Sequence, residues 1–573
     1  MDFGESSIMG NFSTKQGFLF YPSTIYVEEQ EKIDAFLALL DRSGVEKYLK
    51  VKSEYDAMGR PEFNPYAMFA TIVYGFSMKN GPLRDLESGC RNDIRFMHLM
   101  EGKTPSYVAF SRFINQVIKP NAIEIFCCIV RAIFETLNIN MDTCFIDGTK
   151  QEAKSNKYKV VWKPTTLHLK LSDKIRTLLK LMQLDRSVPS EGIIPAQIIA
   201  QKLSQAESLI SEKEGDDRKI LVKQIESLSE YLTKALDYEE KEEICGENRN
   251  SYYKTDYDAT AMCLKADYYS GLGSNMHAAY QVQAIVSCGF IVNYYISQDR
   301  TDLYTFVPSM KRFHSCYDFY PKNIVADAGY GHLENYSFCT RNGIKGFIKY
   351  QSWEGESSGR NPALYELKDD NTIVCLGGKT GKKVKLENVH PRKKNGEFFR
   401  VENCGDCDFK PYCRRYMKEK DEDFKVFEIV VEFQKEKQKA RDLLLSVEGI
   451  EMRVNRSCQM EGAFGIIKNN MLYDRFRRTT MESVNVEFML TSLGFDIRKF
   501  LRYYKGDVPV KYWTAPPDTV PQTFKKPSAK RLAKRATKIR TKSANEKVTS
   551  KYKYAHEKNR KIENMNKEES DSP

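Results

Sequence analysis

The chain predicts an α/β core that is preceded by an all-α amino-terminal domain and interrupted twice, by a helical hairpin and by a second mixed insertion. Three observations carry this. Residues 30–140 hold apolar side chains at helical spacing, and residues 277–350 alternate between strand-like and helical runs. Between them, residues 165–248 switch to a charged, heptad-like pattern that belongs to neither.

At 573 residues the chain is long enough for several domains or for one core with large insertions. A hydrophobic content of 41% with 12% aromatics sustains a buried core and excludes a disordered protein. The net charge of +12 is unevenly spread: "KKPSAKRLAKRATKIR", Lys525–Arg540, holds eight basic residues and no acidic one. Lys and Arg at that density suit a polyanionic phosphate backbone, although a merely solvated tail has the same composition. The amino terminus lacks a basic start followed by an apolar run, so no signal peptide is expected. The most apolar helical run, "AIEIFCCIVRAIF", carries Glu124 and Arg131 and is too short to span a bilayer. A soluble, cytoplasmic protein with most of its 14 cysteines reduced is therefore expected.

The elements follow in order. "EKIDAFLALLDRSGVEKYL" and "PYAMFATIVYGFSM" read as helices, and Pro105-Ser106 suits the start of another. Arg84, Arg91, Arg95 and Arg112 are candidates to face phosphate, and a plain helical scaffold is the alternative. This amino-terminal domain covers residues 1–135, and the first part of the core covers 136–164. In the hairpin, 165–250, Ile199, Leu203, Ala206 and Ile210 form one apolar seam, and Leu221, Ile225, Leu228 and Leu232 form the other. The central part of the core, 251–350, opens with strand–turn–strand sequence whose turn falls at Cys288-Gly289. Residues 351–450 are polar, Lys-rich and irregular, so they read as the second insertion. Helical sequence resumes over 451–508, and 509–573 reads as a linker followed by a disordered basic tail.

Three carboxylates stand out. Asp147 in "CFIDG" and Asp327 in "IVADAG" each end a strand-like apolar run, whereas Glu461 in "MEGAFGIIK" opens a helical one. Two strand-end aspartates and a helical glutamate can hold a pair of Mg²⁺ or Mn²⁺ ions about 4 Å apart, the arrangement that transfers phosphodiesters. Taken singly, each has a bland alternative as a turn or surface residue. Lys468 lies two helical turns beyond Glu461, where a cation could hold a DNA phosphate, and Arg456 could do likewise. Gly462 and Gly465 flank Phe464 and would permit the close approach of another backbone.

The blocks "DGTKQEAKSNKYKVVWK", "TDYDATAM", "ADAGYGHLENY" and "EGAFGIIKNNMLYDRFRR", with "GRPEFNPYAMFATIVYGF" upstream, resemble those of bacterial DDE-type insertion-sequence transposases. The resemblance runs in order from about residue 20 to 505. It implies a ribonuclease H-like catalytic core, a metal-binding triad of Asp147, Asp327 and Glu461, and a Glu-x6-Lys element at Glu461 and Lys468. It further implies double-stranded DNA partners, both inverted-repeat ends and target DNA, a homodimer, no membrane, and a nucleoid-associated location. Many related enzymes carry Arg four positions before the Glu. Here that position is Ser457, and Arg456 stands one place away.

Cys404, Cys407 and Cys413 form C-x2-C-x5-C, and with Cys375 upstream they could make a closed Zn²⁺ site; the resemblance implies a comparable cluster. Trp162 is a candidate to stack on an unpaired base, with a core position as the plainer expectation. Asp256 and Asp258 read as structural or substrate-positioning, and His277 and His332 as structural.

Overall fold

The computed structural model describes residues 27–49, 63–78, 82–247, 249–265, 275–385, 396–416, 423–506 and 512–538. The amino-terminal stretch read for a signal peptide and the disorder expected beyond residue 538 lie outside these. The chain divides into two compact units, residues 1–321 with 457–511 and residues 322–456 with 512–573.

The first unit begins with the helices α1 (Val27–Ser43), α2 (Pro65–Met78), α3 (Leu83–Asn92), α4 (Ile94–Leu99), α5 (Tyr107–Phe113) and α6 (Ala122–Leu137). Every residue of α2 from Ala67 to Ser77 is buried. A helix apolar on all faces must sit at the centre of its domain. Ser106 caps α5 as its sequence predicts, its hydroxyl accepting from the Ala109 N–H at 3.3 Å.

Next come β1 (Thr143–Glu152) and β2 (Val160–Trp162), then α7 (Thr165–Leu181), α8 (Ala196–Ser208), α9 (Gly215–Cys245) and β3 (Ser251–Tyr253). β2 and β3 pair antiparallel, Val160 opposite Tyr253, so the helical insertion leaves and rejoins the chain at adjacent points. The expected hairpin is α8 with α9. A third helix joins it: Leu171, Ile175 and Leu179 of α7 share one core with Ile199, Leu228 and Ala235. The expectation of two helices rested on the two heptad seams alone, and α7, which starts directly after Pro164, lies outside both.

The sheet continues with β4 (Thr260–Met262), β5 (His277–Ser287) and β6 (Phe290–Ser297), followed by α10 (Phe306–Tyr317). Cys288 and Gly289 have φ of 48° and 76°, the left-handed pair that a two-residue hairpin turn demands. β5 pairs antiparallel with β1 on one side and β6 on the other. α6 packs on β6 through edge-on ring pairs, Phe126 with Tyr294 and Phe134 with Phe290. A disulfide joins Cys127 to Cys316, and the other 12 cysteines form no disulfide.

In the second unit, β7 (Asn323–Ala326), α11 (Leu333–Arg341) and β8 (Lys345–Ile348) make a parallel strand–helix–strand unit, with Asn323 opposite Lys345. After α12 (Trp353–Ser357) come β9 (Tyr365–Asp369), β10 (Thr372–Cys375), β11 (Thr380–Val384), β12 (Glu397–Val401), α13 (Lys410–Cys413) and β13 (Lys425–Ile429). The segment expected to be irregular is thus an antiparallel five-stranded sheet, in the order β13-β12-β11-β10-β9. Its core is Ile373, Phe399, Val401, Phe427 and Ile429. The strands are only four or five residues long, and charged residues line their outer face, so composition hides their alternation.

Then come α14 (Val431–Leu445) and α15 (Val447–Gly465), a π-helical turn over Ile466–Asn470, and α16 (Met481–Tyr503). α16 belongs to the first unit and is buried without a break from Val486 to Ile497. A Cβ on Gly494 would lie 2.5 Å from the Phe76 carbonyl, so glycine is what lets α16 close on α2. Asp258 and Asp256 start the helix: the Met481 N–H donates to Asp258 Oδ2 at 2.7 Å and the Thr480 N–H to Asp256 Oδ1 at 3.3 Å. The Asp496 carboxyl is fully buried and accepts from the Ile291 N–H of β6 at 2.8 Å. The amino-terminal helices therefore share a core with α16, about 400 residues further along the chain.

Residues 512–538, expected as linker and loose tail, are instead packed within the second unit. Trp513 and Asn455 exchange two hydrogen bonds, the Trp513 N–H to Asn455 Oδ1 at 2.8 Å and Asn455 Nδ2 to the Trp513 carbonyl at 2.9 Å. The Gln522 N–H donates to the Leu445 carbonyl at 2.8 Å. Phe524 sits edge-on to Trp353, ring centroids 5.1 Å apart, and residues 529–538 are helical.

Candidate active site

Strand alternation on β1 puts Asp147, Thr149 and Gln151 on one face, opposite Ala284, Val282 and Tyr280 of β5. Ala284 is small, which leaves space beside Asp147. The Asp147 carboxylate accepts from the next N–H, that of Gly148, at 2.9 Å. The other face carries Gly148, where a Cβ would collide with Asp302 Oδ1 and with the amides of Gln281 and Gln283. Both amides donate to Asp302 Oδ1, at 2.5 and 2.8 Å, so a carboxylate is held against the strand directly behind Asp147.

The chain after α15 is tied to the same strand. Lys468 Nζ donates to Thr149 Oγ1 at 2.6 Å. Gln151 Nε2 donates to the Tyr473 carbonyl at 2.9 Å, and the Phe476 N–H donates to the Glu152 carbonyl at 2.9 Å. Arg475 adds bonds to the carbonyls of Ala153 and Ser155, at 3.1 and 3.0 Å. Burial holds the Lys468 ammonium below the usual lysine range, and the nearby Lys265 pushes it the same way. Lys468 lies in the π-helical turn rather than on a regular helix, and Glu461 sits late in α15 rather than opening it. Glu461 is exposed. Gly462 and Gly465 face open space, so neither makes the close approach expected of it.

In the second unit, Asp327 follows β7 and caps the short helical turn Ala328–Tyr330, its Oδ1 accepting from the Gly329 N–H at 2.8 Å. Its side chain is 40% exposed, and Arg456 Nη2 of α15 lies 3.6 Å from Oδ2. Arg456, expected at a DNA phosphate, therefore faces one of the candidate metal ligands. Among the described residues, no three His, Cys, Asp or Glu side chains gather at a separation that would hold a metal ion.

Cys375, Cys404, Cys407 and Cys413 line one small cavity of about 20 Å³. A Cβ on Gly377 would lie 2.9 Å from Cys407 Sγ and 3.7 Å from Cys375 Sγ. The buried Lys425 donates to Cys413 Sγ at 3.2 Å. Burial raises the Cys413 thiol pKa, and Lys425 opposes the rise. Trp162 is 51% exposed at the end of β2, which corrects the core position expected of it. Two of the amino-terminal arginines are already paired, Arg91 with Glu87 and Arg95 with Asp93. No helix among the described residues is long and apolar enough to cross a membrane.

The sequence reading missed Thr149, although period-two alternation from Asp147 points to it. Asp302 left no such signal, because its place depends on Gln281 and Gln283 of another strand. In comparison with family models, residues 25–116 match "Transposase domain (DUF772)" and residues 374–501 match "Transposase DDE domain". The second match contains the four cysteines, Glu461 and Lys468, but neither Asp147 nor Asp327. No curated protein and no solved structure matches the chain.

Proposed function

From the premise that this chain is an insertion-sequence transposase of the DDE type, as both family matches indicate, we propose that it binds the terminal inverted repeats of its own element and catalyses metal-dependent DNA cleavage and strand transfer. The observation that carries this is the Lys468–Thr149 hydrogen bond, formed two residues along β1 from Asp147 and on the same face. The meander β6–β5–β1, with Asp147 on β1, and the unit β7–α11–β8, with Asp327 after β7, are the parts of a ribonuclease H-like core, and we assign them to one.

Asp147, Asp327 and Glu461 offer only carboxylate oxygens, the donor set of a hard cation, and we assign them to Mg²⁺ or Mn²⁺. Divalent cations held there would neutralise charge at the attacking and leaving oxygens of the phosphodiester. The electrostatics fit: Asp327 has Arg456 at 3.6 Å, a positive charge where a cation would also stand. Three carboxylates repel one another and gain a reason to converge only with a cation between them. Lys468 then holds the scissile phosphate, and Arg456, displaced from Asp327, turns to the DNA backbone. The freed 3′-hydroxyl attacks target DNA in line, so no Ser or Tyr of the protein becomes covalently attached. Two ends must be held together, for which we propose a homodimer.

We also assign Zn²⁺ to Cys375, Cys404, Cys407 and Cys413. They line one cavity of about 20 Å³, so closing to ligand separation would need only local movement, and the buried Lys425 ammonium would balance thiolate charge. Metal analysis of the purified chain tests this. About one zinc per chain, lost in Cys407→Ser, is expected; a zinc-free, fully folded chain would overturn it.

The central experiment incubates the purified chain with DNA carrying the element's ends and Mg²⁺, beside Asp147→Asn, Asp327→Ala and Glu461→Gln. Cut and joined products are expected from the parent alone, while all three variants still bind the ends. End binding by the parent with no cutting in Mg²⁺ or Mn²⁺ would leave a DNA-binding descendant of such enzymes instead.

A further inference from the structure

We infer that residues 525–538 form a docked DNA-backbone contact on the five-stranded-sheet unit, made by a cationic helix face outside the candidate active site. The identity of the polyanion as DNA rests on the transposase reading. The local geometry does not. Successive residues of an α-helix are about 100° apart. Over 529–538 that spacing places Lys530, Lys534, Lys538 and Arg531 within one arc of about 100°. Leu532 and Ala536, both buried, fall on the opposite side. The helix is therefore held by its apolar face and presents its cations, with Thr537 exposed beside them.

Docking is specific along the whole strap, residues 513–538, whose last part is the basic segment. The Asn455–Trp513 pair fixes its start, Arg453 Nη2 donates to Gln522 Oε1 at 2.8 Å, and Arg441 lies 5.6 Å from the Phe524 ring. Gly359 meets the Lys525 carbonyl, and Arg535 Nε donates to Asn361 Oδ1 at 3.2 Å. A tail that serves only for solubility needs none of these bonds.

The charge is unopposed. Lys525, Lys526, Lys530, Arg531, Lys534 and Lys538 are all exposed, and among the described residues none has a salt bridge. From Thr519 to Lys538 the sequence has no carboxylate. Lys530, Lys534 and Lys538 repeat at about 6 Å along some 12 Å of helix, a length over which duplex DNA presents about seven phosphate charges. A rigid row of that pitch fits a phosphate backbone, contacts that hold position without reading sequence.

The test is the salt dependence of binding by the full chain to a labelled duplex carrying the inverted-repeat end, read by fluorescence anisotropy. The variant combines Lys530→Gln, Arg531→Gln, Lys534→Gln and Lys538→Gln, all exposed positions, with Lys530→Arg, Lys534→Arg and Lys538→Arg combined as the charge-keeping control. Each lost phosphate contact lowers the slope of log K against log salt by about 0.9, so the Gln variant should lose about 3.6. At 50 mM salt its affinity should then fall about 100-fold more than at 200 mM, with the Arg control unchanged. An unchanged slope in a Gln variant that melts like the parent overturns the strap as a DNA contact and leaves the transposase reading standing. A parent that binds no duplex at any salt overturns both. Tighter binding of the parent to RNA than to duplex, lost in the Gln variant, overturns DNA as the partner.

Discussion

Lys468→Met separates a working lysine from a structural one. The parent side chain donates a short charged hydrogen bond to Thr149 Oγ1 at 2.6 Å and a long one to the Lys150 carbonyl at 3.4 Å, and breaking the short one costs about 1.5–3 kcal/mol. Opposing this is the burial that holds the Lys468 ammonium below its usual range, since removing a buried charge returns its desolvation cost. Methionine keeps most of the stem's packing, so the two effects should offset to within about 1 kcal/mol, a few degrees of melting temperature. Catalysis has no such offset. A preorganised cation on charge that develops at phosphate contributes about 3–4 kcal/mol, so single-turnover end cleavage should fall 10²–10³-fold while end binding changes little. In the proposed role the charged form meets the phosphate, so cleavage in the parent should decline as pH rises through the lowered lysine value, before the ordinary value near 10.4. A methionine variant that melts far below the parent yet cleaves at a comparable rate would refute the reasoning.

Asp496→Asn should stabilise the first unit increasingly as pH rises. Burial holds the Asp496 carboxyl well above the usual range, so the folded state keeps a proton that the unfolded chain sheds above about pH 4. Parent stability is therefore lost with rising pH, by up to about 1.4 kcal/mol per unit until the folded value is reached, and asparagine removes that slope. Parallel melting-temperature profiles between about pH 5 and 8 would contradict this. Gly148→Ala forces a methyl against Asp302 and two glutamine amides, which should cost about 1–3 kcal/mol and slow cleavage through Asp147 on the same strand. An unchanged melt and rate would show that β1 yields there freely. Asp258→Ala removes the acceptor for the Met481 N–H and should cost about 1 kcal/mol by chemical denaturation, against no change if the bond is idle.

Much of the first unit was legible because its signals are local. The apolar run of α2, the Ser106 cap and the Cys288-Gly289 turn each depend on adjacent residues and stand where their sequence puts them. Asp147 and Asp327 were legible as strand-associated carboxylates for the same reason. The Lys468–Thr149 contact joins residues 319 apart, and no window of sequence contains it. The five-stranded sheet was hidden by strands too short to show a period. The strap was hidden because its docking rests on isolated residues, Trp513, Phe524 and Leu532, scattered through polar and basic sequence. In such a run composition reports the exposed face and is silent about the buried one.

The place of α16 sets a timetable for the nascent chain. Its unbroken buried run closes on α2 at Gly494 and on β6 through Asp496. From the end of α6 at Leu137 to the end of α16 at Tyr503 is 503 − 137, or 366 residues. At about 5–20 residues per second the ribosome needs roughly 20–70 s to cover that distance. Throughout that interval α2, apolar on every side, lacks its principal cover and is a surface for chaperones or for aggregation. Ribosome-bound chains stopped before residue 481 should therefore be cleaved within α2 by protease, and protection should arrive abruptly once Tyr503 has cleared the exit tunnel.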